Sequence, residues 1–222
     1  MITPAHPFFP TFKALMEQVA QHEPVFDLGT SARFAKEMKH VESVFEGRDY
    51  KAGGYNPDRS LPRPCDFHCD VQDLNEIETA SVGSIISLEV LEHVQNPRGC
   101  VEEAYRVLKP GGLCLLTTPF ITSYHGKTEL QSDGPVVTIR NDHASYADYW
   151  RFTHEGLFYL FRQAGFSSVQ VMAVDGPISA RLDVLKLGRL LLKLPRLAKL
   201  IRRLEKPRIG KLATRHLVLA TK

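Results

Sequence analysis

Two histidines, His125 and His143, stand in one long stretch of the chain, the second next to Asp142. Imidazole titrates near neutral pH, so either could draw a proton from a reacting hydroxyl. Asp27, Asp70 and Glu89 each stand within or just after a short apolar run. Such runs read as strands, and the ligands of open α/β sheets gather at the carboxyl ends of strands. The plainer role for Asp27 is to cap the turn that follows it, and for Asp70 to cap the stretch toward Asp73. Asp148, Tyr149 and Arg151 form a further polar group. Arg151 could grip a carboxylate or phosphate through its planar fork, or it could pair with Asp148 and lock the loop. Glu92 and His93 suit a structural part as well as a functional one. Cys65, His68 and Cys69, with Asp66 and Asp70, look at first like metal ligands. Neighbouring His68 and Cys69 point to opposite faces of a strand, and no second cluster completes a tetrahedral shell. No metal is expected.

The elements that must carry these groups alternate between short apolar runs and helical patterns, the mark of βαβ units and a mostly parallel sheet. The 222 residues suffice for one full α/β core, and 43% apolar with 24% charged residues is the balance of a soluble globular protein. A helix over about 11–21 leads into a strand at 25–29. A helix over about 32–39 follows, then a weak strand at 50–55 and a short one at 66–69. Residues 82–88 make the clearest buried strand. Asn96-Pro97 opens a helix, which Lys109-Pro110-Gly111-Gly112 closes. Strands at 113–118, 168–174 and 216–221 complete the pattern, with a helix between Thr153 and Gly165. The segment 1–24 is a helical lead-in, and two others exceed the alternation. Residues 119–150 are too long for an ordinary loop and form the acceptor side; 176–211 are inserted before the last strand. All are expected within one domain, 1–222.

Three stretches together resemble the class I, S-adenosylmethionine-dependent methyltransferases, and among them the methyltransferase type 11 group. Ser87-Leu88-Glu89-Val90-Leu91-Glu92-His93-Val94, followed at the family's distance by Tyr105-Arg106-Val107-Leu108-Lys109-Pro110-Gly111-Gly112, is the most specific. Val25-Phe26-Asp27-Leu28-Gly29 resembles the family's first strand and cofactor loop, and Asp148-Tyr149-Trp150-Arg151-Phe152-Thr153 a segment before its late helix. The resemblance implies a Rossmann-like, doubly wound sheet of seven strands, mostly parallel, with an antiparallel last strand. It implies S-adenosylmethionine as cofactor, with Asp27, Gly29, Ser31, Gly54, Asp70, Val71 and Glu89 around it. Asp70 would accept from the adenine amino group while Val71 covers a ring face. His125 and His143 are the candidate bases, and Asp148, Tyr149 and Arg151 the candidate acceptor pocket.

The chain departs from the family where Ser31 and Arg33 replace loop glycines and where Gly54 replaces the ribose-binding acid. Arg33 either points away or holds the methionine carboxylate; Asn56 or Asp58 could stand in for the acid. Neither a Gly-x-Gly-x-x-Gly turn nor a Gly-x-x-x-x-Gly-Lys-Ser/Thr loop is present, which suits a nucleoside sulfonium with no phosphate to cradle.

Charge is distributed unevenly. Residues 181–211 hold eleven basic and two acidic side chains, leaving seventeen basic against twenty-three acidic elsewhere. Leucines from Leu187 to Leu204 recur at three- and four-residue spacing beside a basic face, with Pro195 interrupting. Such a helix can lie on an anionic membrane, or pack on the body or a second subunit. It lacks the interleaved aromatics that favour nucleic acid. The expected function is methyl transfer to an oxygen of a small-molecule or glycan-like acceptor. The expected setting is cytoplasmic, with peripheral membrane contact through 181–211 and an oligomer allowed. The competing reading is a non-catalytic module that uses the same fold to bind a partner or membrane.

Overall fold

The computed structural model describes residues 2–55, 60–126, 129–133, 135–140, 147–176, 178, 180, 181, 200 and 213–222. Its strands are β1 (Val25–Leu28), β2 (Tyr50–Gly54), β3 (Phe67–His68), β4 (Val82–Leu88), β5 (Leu108–Pro119), β6 (Glu129–Asp133), β7 (Val136–Arg140), β8 (Ser168–Val174) and β9 (Arg215–Thr221). Seven of them form one sheet in the order β3-β2-β1-β4-β5-β9-β8. The first five pair in parallel, and β9 runs antiparallel to both β5 and β8. The expected mostly parallel, seven-stranded sheet with an antiparallel last strand is therefore present.

Every residue of β4 is buried, because both faces of the sheet are covered. On one face lie α2 (Pro97–Val107) and α3 (His154–Ala164), whose Cys100, Val101, Leu157 and Phe161 pack with Ile85, Leu116 and Val218. On the other lies α1 (Phe9–Val19), where Phe12, Met16 and Val19 pack with Ile86, Leu115 and Leu217. The starts of α2 and α3 follow from local chemistry. Asn96 accepts the Gly99 amide at 3.0 Å, and Pro97 costs no hydrogen bond in a first turn. Thr153 accepts the Gly156 amide at 3.0 Å, and Gly165, at φ +109°, closes α3 in the left-handed region.

Three expectations change. Residues 32–39 do not form an α-helix; two 3₁₀ turns, Lys36–His40 and Glu42–Phe45, link β1 to β2 instead. Positive φ at Phe34 (54°) and Lys36 (49°) breaks the helical run there. Tertiary contacts hold that shape, because Glu37 is drawn to Arg215 at 3.2 Å and the Phe34 ring stacks on Tyr50 at 4.4 Å. Strand β5 starts earlier than expected and takes in Lys109-Pro110-Gly111-Gly112, since Leu108 already pairs with Val82 before a register shift. The long segment after β5 carries the β6–β7 antiparallel hairpin. Among the described residues, no helix is long and apolar enough to cross a membrane. Nearly all of 176–211, including the basic face, lies outside the described residues, as does His143.

The Asn96 cap also ties α2 to the Asp70 loop, because the Asn96 amide donates to Gln72 Oε1 at 2.8 Å. Asn96→Ala removes only the side-chain cap and is expected to cost about 1 kcal/mol, read from the urea midpoint at unchanged slope.

Candidate active site

The carboxyl ends of β1, β2 and β4 meet around one loop. Gly29 leaves β1 at φ +76°, and its amide donates to the Gly53 carbonyl at 2.8 Å. A Cβ at Gly29 would lie 2.6 Å from Val90 Cγ1. Across the loop, a Cβ at Gly54 would lie 2.4 Å from the Thr30 carbonyl oxygen, so no acid fits at that position. Glycine is required at 29 by the Val90 side chain and a left-handed φ, and at 54 by the approach of backbone, whatever binds above. Ser31 is exposed on the loop, and Asn56 and Asp58 lie outside the described residues. Arg33 resolves one open alternative: it pairs with Asp66, donates to the Tyr50 carbonyl at 3.2 Å and lies over the Tyr50 ring. It points away from the β1–β4 crevice.

Asp27 is 2% exposed and accepts from the Tyr50 hydroxyl at 2.6 Å. Burial pushes its carboxyl up to about 7, opposed by the Tyr50 hydrogen bond and by Lys36 and Arg33. Beside it is a cavity of about 10 Å³ lined also by Thr30, Ala35, Lys36 and Met38, room for little more than a water. Asp70 uses Oδ1 to accept the Gln72 amide at 2.9 Å, so one of its oxygens caps its own turn. Val71 is buried with Leu74 and Cys100.

The acceptor side is built from the ends of β4 and β5 and the strap 147–152. Glu89, at φ +55°, donates its amide to the Thr117 carbonyl and brings its carboxylate within 3.6 Å of Arg215. Burial raises the Glu89 pKa against the pull of Arg215. The Glu92 carbonyl accepts the Tyr149 amide at 2.8 Å and the Trp150 amide at 3.3 Å, and Trp150 Nε1 donates to the Val94 carbonyl. These bonds lay the strap against the turn after β4. Asp148, with its side chain fully shielded, takes both terminal nitrogens of Arg151, the His125 amide at 3.1 Å and His125 Nδ1 at 3.3 Å. Arg151 thus pairs with Asp148, and Asp148 orients His125. Tyr149 is about half exposed, and its hydroxyl accepts from Gln95 Nε2 at 3.2 Å.

His125 does not face the acceptor side alone. Its Nε2 lies 3.2 Å from His93 Nε2 and 3.8 Å from Glu92 Oε1. Glu92, beside it, raises the His125 pKa, Asp148 adds to the effect, and partial burial opposes it. A polar cluster thus stands beside the end of β4, next to the glycine loop that leaves β1. Residues 28–116 match the family model described as a methyltransferase domain. That stretch, under half of the chain, resembles a methyltransferase domain.

Solved structures agree on the fold. An S-adenosylmethionine-dependent methyltransferase from Mesorhizobium loti superposes with a TM-score of 0.58 at 14% identity, covering 97% of each chain. One from Archaeoglobus fulgidus gives 0.55 at 12% identity, covering 96% of this chain and 94% of the other. Phosphoethanolamine N-methyltransferase 2 of Haemonchus contortus, solved with S-adenosylhomocysteine, gives 0.54 at 12% identity over 96% of this chain and 52% of its own. No curated protein matches the sequence.

Sequence reasoning left Glu92 and His93 open between a structural and a functional part, and did not single out Arg215, Glu37 or Tyr50 as site groups. The available signal for the first two was their place directly after the most strongly buried strand. The other three become visible only through contacts across the sheet.

Two measurements check this geometry. Gly54→Ala forces a Cβ onto a backbone oxygen and is expected to cost roughly 1–3 kcal/mol in urea unfolding, with cofactor affinity falling in parallel. Asp27 has a raised native pKa, so its contribution is fully present below about pH 4 and is lost as pH rises through about 7. Asp27→Asn should therefore flatten the fall in stability between those values, by an amount on the order of 3 kcal/mol.

Proposed function

We propose that this chain transfers the cofactor's methyl group to an oxygen of a small-molecule or glycan-like acceptor. One observation carries the reading: at the ends of β4 and β5, a partly exposed His125 is held by the Asp148 carboxylate at Nδ1, with Nε2 beside His93 and Glu92. A hydroxyl acceptor must lose a proton as it attacks the sulfonium carbon, and a tethered imidazole serves that step. An amine acceptor carrying a free lone pair has less need of one. His125 is the base in this reading, Asp148 a positioning residue, and Arg151 acts through Asp148. His143 remains a second candidate base on the sequence alone.

The cofactor's sulfonium supplies the reactive methyl group, so the chain mainly aligns and shields. Gly29 and Ser31 would run along the methionine part, and the second oxygen of Asp70 would take the adenine amino group. Tyr149, beside the cluster and about half exposed, would line the acceptor pocket. The basic face of 181–211 would bring the protein to an anionic membrane surface from a cytoplasmic setting, a reading supported by the leucine and lysine/arginine spacing alone.

The test is calorimetric titration of S-adenosylmethionine and S-adenosylhomocysteine into the full chain, followed by a screen of hydroxyl acceptors. Asp70→Ala is expected to weaken cofactor binding about 10–100-fold, the worth of a charge-assisted hydrogen bond. His125→Gln should lower kcat about 10²–10⁴-fold while cofactor affinity stays within twofold. A folded protein that binds neither ligand would sink the proposal and leave a non-catalytic module.

A further inference from the structure

The cluster of Glu92, His93 and His125 carries a consequence beyond proton transfer. Each imidazole turns Nδ1 toward an oxygen: the Ala147 carbonyl for His93, and Asp148 Oδ2 at 3.3 Å for His125. With Nδ1 so engaged, both Nε2 atoms turn inward. They lie 3.2 Å apart, and Glu92 Oε1 lies 3.4 Å from that of His93 and 3.8 Å from that of His125. Glu92 is completely buried, and its Oε1 accepts no hydrogen bond within 3.5 Å. Three potential ligand atoms therefore converge on one point. A buried carboxylate oxygen left in this way is a costly arrangement that a cation would relieve.

We propose that Glu92 Oε1, His93 Nε2 and His125 Nε2 form a binding site for a divalent transition-metal ion. Spacing supports this: tetrahedral bonds of about 2.0–2.1 Å place neighbouring ligand atoms about 3.3–3.4 Å apart, and the three separations bracket that value. The donors are two imidazoles and one carboxylate, which suit zinc, cobalt, iron or manganese rather than the all-oxygen shells of calcium and magnesium. The outer shell is also present. Ala147 and Asp148 orient the two rings, and the Thr118 hydroxyl approaches Glu92 Oε2 at 3.4 Å. Local charge favours a cation, since Glu89, Glu92 and Asp148 outnumber Arg151, and Arg215 is shared between Glu37 and Glu89. Among the described residues, no other three His, Cys, Asp or Glu side chains bring ligand atoms this close. The expectation of no metal was argued on the Cys65–Cys69 stretch, which takes no part in this cluster.

Three protein ligands leave a coordination position open, and the cluster reaches solvent on the His125 side, where that side chain is 37% exposed. An acceptor hydroxyl bound there would give up its proton to water more readily, with the ion taking over from the imidazole. This last role rests on the oxygen-acceptor reading; the site itself does not.

The experiment strips the full chain with chelator, then titrates Zn²⁺ by calorimetry and Co²⁺ by visible absorption. One ion per chain is expected, with Co²⁺ d–d bands of a four- or five-coordinate centre. His125→Ala, at a partly exposed position, and Glu92→Gln should each weaken binding by at least about a hundredfold. Asp148→Asn, which alters only the outer shell, should weaken it about 10–100-fold. His68→Ala, beside the Cys65–Cys69 thiols, should change nothing. The site is overturned if no stoichiometric ion binds the folded chain, or if His125→Ala leaves affinity and spectrum unchanged. S-adenosylhomocysteine titrated into the metal-free chain separates the two proposals. Metal without cofactor binding refutes methyl transfer alone; cofactor without metal binding refutes the site alone.

Discussion

The parallel pairing of β1 with β4 is the constraint from which the rest of the molecule follows. Asp27 lies opposite Ile86 in that pair, and at this point the order of strands reverses. The chain leaves β1 toward β2 in one direction and leaves β4 toward β5 in the other, so the loops after the two strands part. What they leave between them is a crevice lined by backbone from Gly29 and by the first turn after β4. Asp27, Gly29 and Glu89 stand at the strand ends beside it. Burial on both sheet faces holds the pair in register, since a slip of one residue would exchange the side chains packed under α1 with those packed under α2 and α3.

Around the crevice the chain has placed more charge than a core normally tolerates. Glu37, Glu89, Glu92, Asp148, Arg151 and Arg215 come from four separate stretches of the sequence and are largely shielded from water. Buried charge is stable only when paired, and pairing restricts geometry. The same network that must be satisfied for the fold to persist therefore fixes where His125 and His93 point. Asp175 reinforces the wall from the far side: it is held down to about 2, against the cost of burial, by His6 and Thr214. Its stabilising contribution is present above about pH 4 and disappears only as pH falls toward 2.

Legibility in the sequence tracked how local each cause was. Strands β4 and β8 were readable to the residue because apolar runs ended at turn residues. Helices α2 and α3 were readable because Asn96-Pro97, Thr153 and Gly165 act within three or four positions of themselves. The 32–39 stretch defeated the helical reading because its shape is decided by Arg215, 178 positions from Glu37. The hairpin after β5 did carry a signal, Asp133-Gly134 between two β-prone runs, which the length of the segment obscured. In the site, motif and spacing marked Asp27, Gly29 and Glu89, and a lone histidine after β5 marked His125. The convergence of Glu92, His93 and His125 was hidden because two of them are adjacent in the chain and the third lies on another loop. The role of Asp148 was split between acceptor contact and ion pair until the fold placed His125 against it.

Both ends of the segment that bears the β6–β7 hairpin are moored to the sheet. Phe120 and Ile121 donate their amides to the carbonyls of Thr214 and Ala213, and Tyr149 donates to that of Glu92. With its roots clamped, the interior of such a segment can lengthen or shorten at an entropic cost that grows only as the logarithm of its length. Evolution, or an engineer, could exchange the hairpin for another and leave the imidazoles and the glycine loop where they are. The protein is in this sense a socket with a replaceable faceplate, in which selectivity can drift on a faster clock than chemistry.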